Sequence, residues 1–228
     1  IRANSSDATP VITMTGGGDT DINSATTIGD GGTTNYSQFD VDGHLTMTGG
    51  ARVTKCIQFY PYNIGGIAGT YNSISCNAAG LASLNGIYFK SYDDGGGAAI
   101  AEASNVVVIL PDDYVDGTDI TVKFGMIVGG TSTNAVRWQC GETHVSDTDT
   151  YSPSTYTWAT PQNVAGPGTA WERKDVTFTL SGTGIVKGDA VSIIVFRDAD
   201  NAADNYAGDA YHADIRIEYT SDRIGAKV

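Results

Sequence analysis

The feature that most constrains this chain is a run of alternating side chains. Ile120, Val122, Phe124, Met126 and Val128 are apolar, with Thr121, Lys123 and Gly125 between them. Apolar groups two residues apart share one face of an extended strand and cannot share one face of a helix. Such a strand is stable only when a second apolar layer covers it. Related runs recur at 53–60, 86–92, 106–110, 135–143, 175–180, 190–197 and 210–219. Two of them, Val106-Val107-Val108-Ile109-Leu110 and Val191-Ser192-Ile193-Ile194-Val195-Phe196, are nearly continuous and point to strands covered on both faces. Pro111, Gly117, Gly129-Gly130, Pro161, Gly166-Pro167-Gly168, Gly182 and Gly188 punctuate the intervals. No segment keeps a 3.6-residue period, and the one short helical candidate is 78–84. The pattern predicts an all-β chain with a two-sheet sandwich over 51–228; periodicity does not separate a jelly roll from another Greek-key sandwich.

The first fifty residues read differently. Val11-Ile12-Thr13-Met14-Thr15 is β-prone and is followed by Gly16-Gly17-Gly18. Further on, Gln38–Val41 and His44–Met47 alternate around Asp42-Gly43, a two-residue hairpin signal. A segment with so few large apolar side chains cannot close its own core, so 1–50 is expected to be an N-terminal extended arm and hairpin lying against something else. Val11, Ile12 and Met14 are the residues expected to donate a strand to the open sheet edge of a neighbouring copy.

Length and charge bound the function. A chain of 228 residues can bury a core without staples. Its 26 Asp+Glu against 13 Lys+Arg give a net charge of −13, which argues against nucleic acid as a partner, since phosphate binding needs clustered basic residues. No apolar run reaches the roughly 18 residues of a membrane span, so no membrane insertion is expected. The chain begins at Ile1 rather than Met, which favours a processed, exported or assembled protein. Cys56, Cys76 and Cys140 fit no metal-ligand spacing. Cys56 and Cys140 read as small buried strand residues, with one bridge among the three left open.

Several blocks carry a resemblance. They are Leu110-Pro111-Asp112-Asp113-Tyr114, Gly117-Thr118-Asp119-Ile120-Thr121-Val122, Asn134-Ala135-Val136-Arg137-Trp138, Ala165-Gly166-Pro167-Gly168-Thr169, Lys187-Gly188-Asp189, and Phe196 through Asp204 leading to Tyr206-Ala207-Gly208-Asp209-Ala210-Tyr211. Upstream, Ile28-Gly29-Asp30-Gly31-Gly32-Thr33-Thr34-Asn35-Tyr36 leads into Asp40-Val41-Asp42-Gly43. In this order the blocks resemble phage and prophage virion structural proteins of the tail-fibre, head-fibre or decoration type. The resemblance implies a jelly-roll domain, homotrimeric assembly, contact with other virion proteins, a place on the virion surface and no enzymatic activity. Two other readings stand beside it: an extracellular filament or surface-layer subunit polymerised by strand donation, and a carbohydrate-binding module that could engage a host-surface glycan.

Three groups of residues are candidates for chemistry. Asp198, Asp200, Asn201, Asp204 and Asp209 offer oxygen ligands in the spacing of a Ca²⁺ loop, without the sixth-position glycine or the twelfth-position glutamate of an EF-hand. Ca²⁺ is the one cofactor they suggest; turn capping by Asp and Asn accounts for the same residues. Tyr151, Tyr156, Trp158 and Trp171 flank the polar stretch 146–170 and suit a protein interface, a glycan platform or closure of the sandwich. His44, His144 and His212 are scattered, no Gly-x-Ser-x-Gly elbow is present, and acidic residues gather in turns such as Asp93-Asp94, Asp112-Asp113 and Asp147-Thr148-Asp149. The expectation is a protein that is not an enzyme.

Overall fold

The computed structural model describes residues 26–29, 36–39, 45–48, 52–60, 65–67, 69–71, 74–84, 87–93, 101–147 and 156–224. They are all-β, with no helix among them. In chain order the strands are β1 (Thr26–Gly29), β2 (Tyr36–Phe39), β3 (Leu45–Thr48), β4 (Val53–Phe59), β5 (Gly65–Ile67), β6 (Gly69–Tyr71), β7 (Ile74–Ala78), β8 (Gly80–Leu84), β9 (Ile87–Tyr92) and β10 (Ala101–Ile109). There follow β11 (Ile120–Val128), β12 (Ala135–Val145), β13 (Thr157–Trp158), β14 (Gln162–Ala165), β15 (Arg173–Leu180), β16 (Ala190–Asp198), β17 (Ala210–His212), β18 (Ile215–Ser221) and β19 (Arg223–Ile224).

Two antiparallel sheets make a jelly-roll-like β-sandwich. In the back sheet β12 lies between β16 and the short strands β13 and β14, and β16 continues to β10 and β5. In the front sheet β15 is the edge and β11 pairs with it along eight residues, Ile120↔Leu180 to Ile127↔Arg173. On its other side β11 meets two strands in turn, β18 at Thr121–Lys123 and β17 at Met126–Val128. β18 passes on to β4, and β17 to β9 and β8. The apolar stretch 210–219, read as one strand in the sequence, is therefore two. The chain breaks at Ala213–Asp214 and changes partner from β9 to β4.

The core fills the space between the sheets. Ile120, Val122, Phe124, Met126 and Val128 point inward together and meet Val106, Val108, Trp138, Val191, Ile193 and Val195 from the back sheet. Trp138 sits edge-on to both Tyr92 and Phe124, at 4.9 and 5.0 Å, and its Nε1 donates to the Met126 sulfur at 3.2 Å. A buried indole thus keeps a partner for its N–H, as a dry interior requires.

Several sequence expectations need correction. The stretch 78–84 is not helical: β8 pairs with β9 from Gly80↔Ser91 to Leu84↔Ile87, and seven residues are too few for a helix to outweigh that ladder. Cys56 is exposed, because it alternates out of phase with Ile57 on β4; Cys140 is buried, and both are free thiols. The N-terminal hairpin pairs Tyr36↔Thr48 through Phe39↔Leu45; the Asp42-Gly43 turn itself lies outside the described residues, as does the arm with Val11, Ile12 and Met14. The hairpin joins β1 on one side and β19 on the other in a four-stranded sheet, so the C-terminal strand pairs with the N-terminal segment.

Candidate functional site

The acidic loop was the sharpest candidate, and its carboxylates are committed to side chains. Arg197 is fully buried at 0% exposure, and Asp204 grips its guanidinium through both oxygens, with Nε and Nη2 each donating at 2.9 Å. The remaining donors go to backbone carbonyls: Nη2 to Tyr206 at 2.6 Å, Nη1 to Gly208 at 2.6 Å and Asp93 at 3.1 Å. Asp198 accepts from Arg137 Nε at 2.9 Å and Gln139 Nε2 at 2.6 Å. Asn201 Oδ1 accepts from the Ala203 amide and so caps its own turn. Asp209 accepts from the Tyr211 hydroxyl. A hydrogen bond with Asp198 raises the Asp200 carboxyl above its ordinary range. Among the described residues no three His, Cys, Asp or Glu side chains converge as a metal site. A cation does sit among the loop's oxygens, and it is the guanidinium of Arg197.

The four candidate aromatics separate. Tyr151 lies outside the described residues. Tyr156 and Trp158 come together on the outer face of the back sheet, 5.5 Å apart, and Phe196 meets Trp158 edge-on at 5.4 Å. Trp171 belongs to the front sheet, on the opposite side of the sandwich, where it packs against Tyr211 at 5.7 Å and an interplanar angle of 33°. Tyr211 in turn meets Phe89 at 6.5 Å. Sequence reading missed Tyr211. The available signal was its position between inward-facing Ala210 and His212, which sends its ring outward.

Trp171 is the most unusual residue of the front face. Its backbone is left-handed, φ +64°, the single non-glycine with positive φ among the described residues. That conformation costs a bulky L-residue about 1–2 kcal/mol. Its amide is held by the Val128 carbonyl at 2.9 Å, and its ring rests over Gly129, where an added Cβ would come 3.4 Å from the indole. The side chain nevertheless stays 46% exposed. Backbone strain is thus spent on holding an indole at the surface beside a second aromatic ring.

Polar groups continue the same face. Arg173 lies across Gly125, which has no side chain to obstruct it, and pairs with Asp175 at 2.6 Å. Arg216 pairs with Asp214 at 3.2 Å, and Gln58 Nε2 donates to the same carboxylate at 3.2 Å. Lys123 pairs with Glu218 at 2.7 Å. Each cation has a matching anion, so this face is electrically balanced on a strongly acidic protein. Burial raises the Tyr211 hydroxyl above its ordinary range, with the charge of Asp209 adding to it; the phenol remains a donor at neutral pH.

The two described histidines do not build a reaction centre. His212 is fully buried between the sheets, its Nε2 2.7 Å from the Tyr92 hydroxyl and 3.4 Å from Ser104 Oγ. Burial lowers its pKa to about 3, and Ser104 beside it is itself fully buried. His144 Nδ1 lies 3.1 Å from Glu142, and His44 is outside the described residues.

No family model matches this chain, and no curated protein matches it by sequence. Solved structures resemble it distantly. The chain is similar to the xylan-binding module CBM15, at 14% identity over 74% of this chain and 97% of that one, with a TM-score of 0.46. It is also similar to a family 35 carbohydrate binding module from an environmental isolate, at 14% identity over 75% and 98% with a TM-score of 0.40. A third is the CBM22-1–GH10 part of the Clostridium thermocellum endo-1,4-beta-D-xylanase 10B complexed with xylohexaose, at 11% identity over 77% and 30% with a TM-score of 0.40. Likenesses at this distance carry no weight for function.

Proposed function

We propose that the protein is a non-catalytic carbohydrate-binding module whose front face takes an uncharged polysaccharide. Trp171 carries this reading: an indole held at the surface against backbone strain, beside Tyr211. A sugar ring presents a C–H face that stacks on such a platform, while its hydroxyls need paired donors and acceptors nearby. Arg173, Asp175, Asp214 and Gln58 supply both kinds on the same sheet face. Because those charges are internally matched, a neutral chain can bind without an unpaired charge being buried. The reading implies an extracellular setting and no bound cofactor. Its test is retention in native gels containing soluble β-1,4-xylan, mixed-linkage β-glucan or galactomannan. At least one polymer should retard the protein, and Trp171→Ala should lose about tenfold or more of that affinity, by analogy with aromatic stacking energies. Unchanged retention in a folded Trp171→Ala variant would sink the assignment of this face.

A second reading concerns where such a module is mounted. The virion structural role rests on the order of the sequence blocks, and one observation favours it: β19 pairs with β3, gathering both ends of the described chain into one small sheet. Electron microscopy of native material tests it, with closed oligomers on particles expected and free monomer or an open polymer against it.

A further inference from the structure

We propose a second carbohydrate site on the outer face of the back sheet, built around Trp158, so that the protein bridges two polysaccharide chains. The choice of ligand rests on the polysaccharide reading of the front face; the site itself rests on separate residues. Three observations define it. The outer face of β16 is apolar where a solvated sheet would be polar: Ile194 and Phe196 are buried there with Ala103, separate from the main core, with Tyr156 and Trp158 packed over them. Trp158 lies flat on the sheet rather than edge-on. A Cβ built on Gly141, directly opposite in the ladder, would come within 2.7 to 3.1 Å of three ring atoms, so one indole face presses on the β12 backbone and the other faces away from the sheet. Trp158 itself remains only partly buried, although Phe196 and Tyr156 flank it.

The surrounding polar groups select the ligand class. Arg137, the cation of this cluster, is neutralised by Asp198 at 2.9 Å and also donates to Asn163 Oδ1 at 3.1 Å. Gln139 lies in the ladder row beside Phe196, and Asn105 in the row of Ile194 and Gly141. Neutral amides beside a flat indole, with no unmatched charge in this cluster among the described residues, complement hydroxyls rather than carboxylates, sulfates or a charged protein surface. The two indoles stand on the outer faces of opposite sheets, and packed sheets lie about 10 Å apart. One sugar chain lying along a sheet face cannot touch both. Two sites therefore mean two chains, and linked sites raise avidity for a polymer matrix well beyond either alone.

The experiment is isothermal titration of the full chain with a neutral hexasaccharide cut from whichever polymer of the panel retards it, alongside light scattering with the intact polymer. The wild type should take two hexasaccharides per chain and raise the scattering of the polymer by cross-linking. Trp158→Ala and Trp171→Ala should each leave one bound and abolish cross-linking, and the double variant should leave none. Because Trp158 also covers Ile194 and Phe196, Asn163→Ala serves as a second variant that spares the aromatic packing. It should weaken one of the two sites by about threefold to tenfold, the range of a lost hydrogen bond. A wild-type stoichiometry of one that Trp171→Ala removes and Trp158→Ala preserves overturns the second site and leaves the first standing. The reverse pattern overturns the front-face reading and leaves this one. No binding to any polymer of the panel overturns both.

Discussion

The Arg197 pocket and the Trp171 face contain similar residue types and use them in opposite ways. In the pocket a charge is taken fully out of water and every donor on it finds an acceptor: Asp204 twice, and the carbonyls of Tyr206, Gly208 and Asp93. Around Trp171 the arginines and aspartates stay near the surface, and the strained residue is the one left half uncovered. Complete satisfaction marks a structural knot, because leaving any member of it unpaired is expensive. Strain combined with exposure stores free energy that folding alone does not require. The difference supports an architectural role for the acidic loop, and it is the ground on which recognition is proposed for the front face.

The largest expected effect breaks the knot. Arg197→Met leaves the Asp204 carboxylate buried beside carbonyls that have lost their donor, a change expected to destabilise by about 3–5 kcal/mol. Chemical denaturation should show it as a lower midpoint at an unchanged slope. If the variant unfolds at the wild-type midpoint, the loop is not the structural element described here. The same comparison predicts that a chelator leaves the melting temperature of the wild type where it was, since the positive charge in this loop is covalent. A chelator-induced drop would return Ca²⁺ to the loop.

Next in size is an acid effect on the core. Burial holds the His212 pKa at about 3, well below its unfolded value of about 6.5, so the folded state keeps the ring neutral where the unfolded state binds a proton. Its contribution is therefore complete above pH 6.5 and is lost as pH falls toward 3, at up to about 1.4 kcal/mol per pH unit. Asp113 acts in the same direction at lower pH. Burial pushes its carboxyl up, but hydrogen bonds from Lys55 and Ser221 outweigh that and hold it below the ordinary carboxylate value. Melting temperatures between pH 7 and 4 should fall steeply for the wild type and less steeply for His212→Gln. Parallel curves would remove His212 as the cause.

Much of the architecture was legible in the sequence, because alternation along one strand reports burial directly. Ile120–Val128 needed no adjustment, and the other strands read in the sequence moved by one to five residues at their ends, except 210–219, which is two strands. What escaped was information held between strands. The switch of partner at Ala213–Asp214 shows only as a change of phase, from inward-facing Ala210 and His212 to inward-facing Ile215 and Ile217, and three residues before the break are too few to establish the first phase by hydropathy. Cys56 looked buried because it lies in a strand with Val53 and Ile57, yet its parity sends it outward. The acidic loop looked like a cation site because it is one; only the fold brings Arg197 into it from the preceding strand. The same holds for the candidate sites: Trp158 and Trp171 stand thirteen residues apart in the chain and on opposite faces of the sandwich, which no spacing rule foretells. The virion-like blocks are instructive here too. Asp113 ties Lys55, Tyr219 and Ser221 together, and Phe196–Asp204 contains the knot, so those blocks coincide with places where the sandwich is pinned.

The smallest effect separates strain from recognition within Trp171 itself. Alanine at this position removes the ring but keeps a Cβ in a left-handed backbone; glycine removes the ring and the steric conflict together. Both should lose the front-face affinity to the same extent. The glycine variant should nevertheless be more stable than the alanine variant by about 1 kcal/mol, which for a chain of this size is about 2–4 °C in melting temperature. If the wild type melts below the glycine variant as well, the indole is held at the surface against the fold's own preference, as a site for a ligand would be. If the wild type is instead the most stable of the three, the ring's packing on Tyr211 and Gly129 outweighs the backbone strain. Trp171 would then belong with Arg197, among the residues that hold the sandwich together.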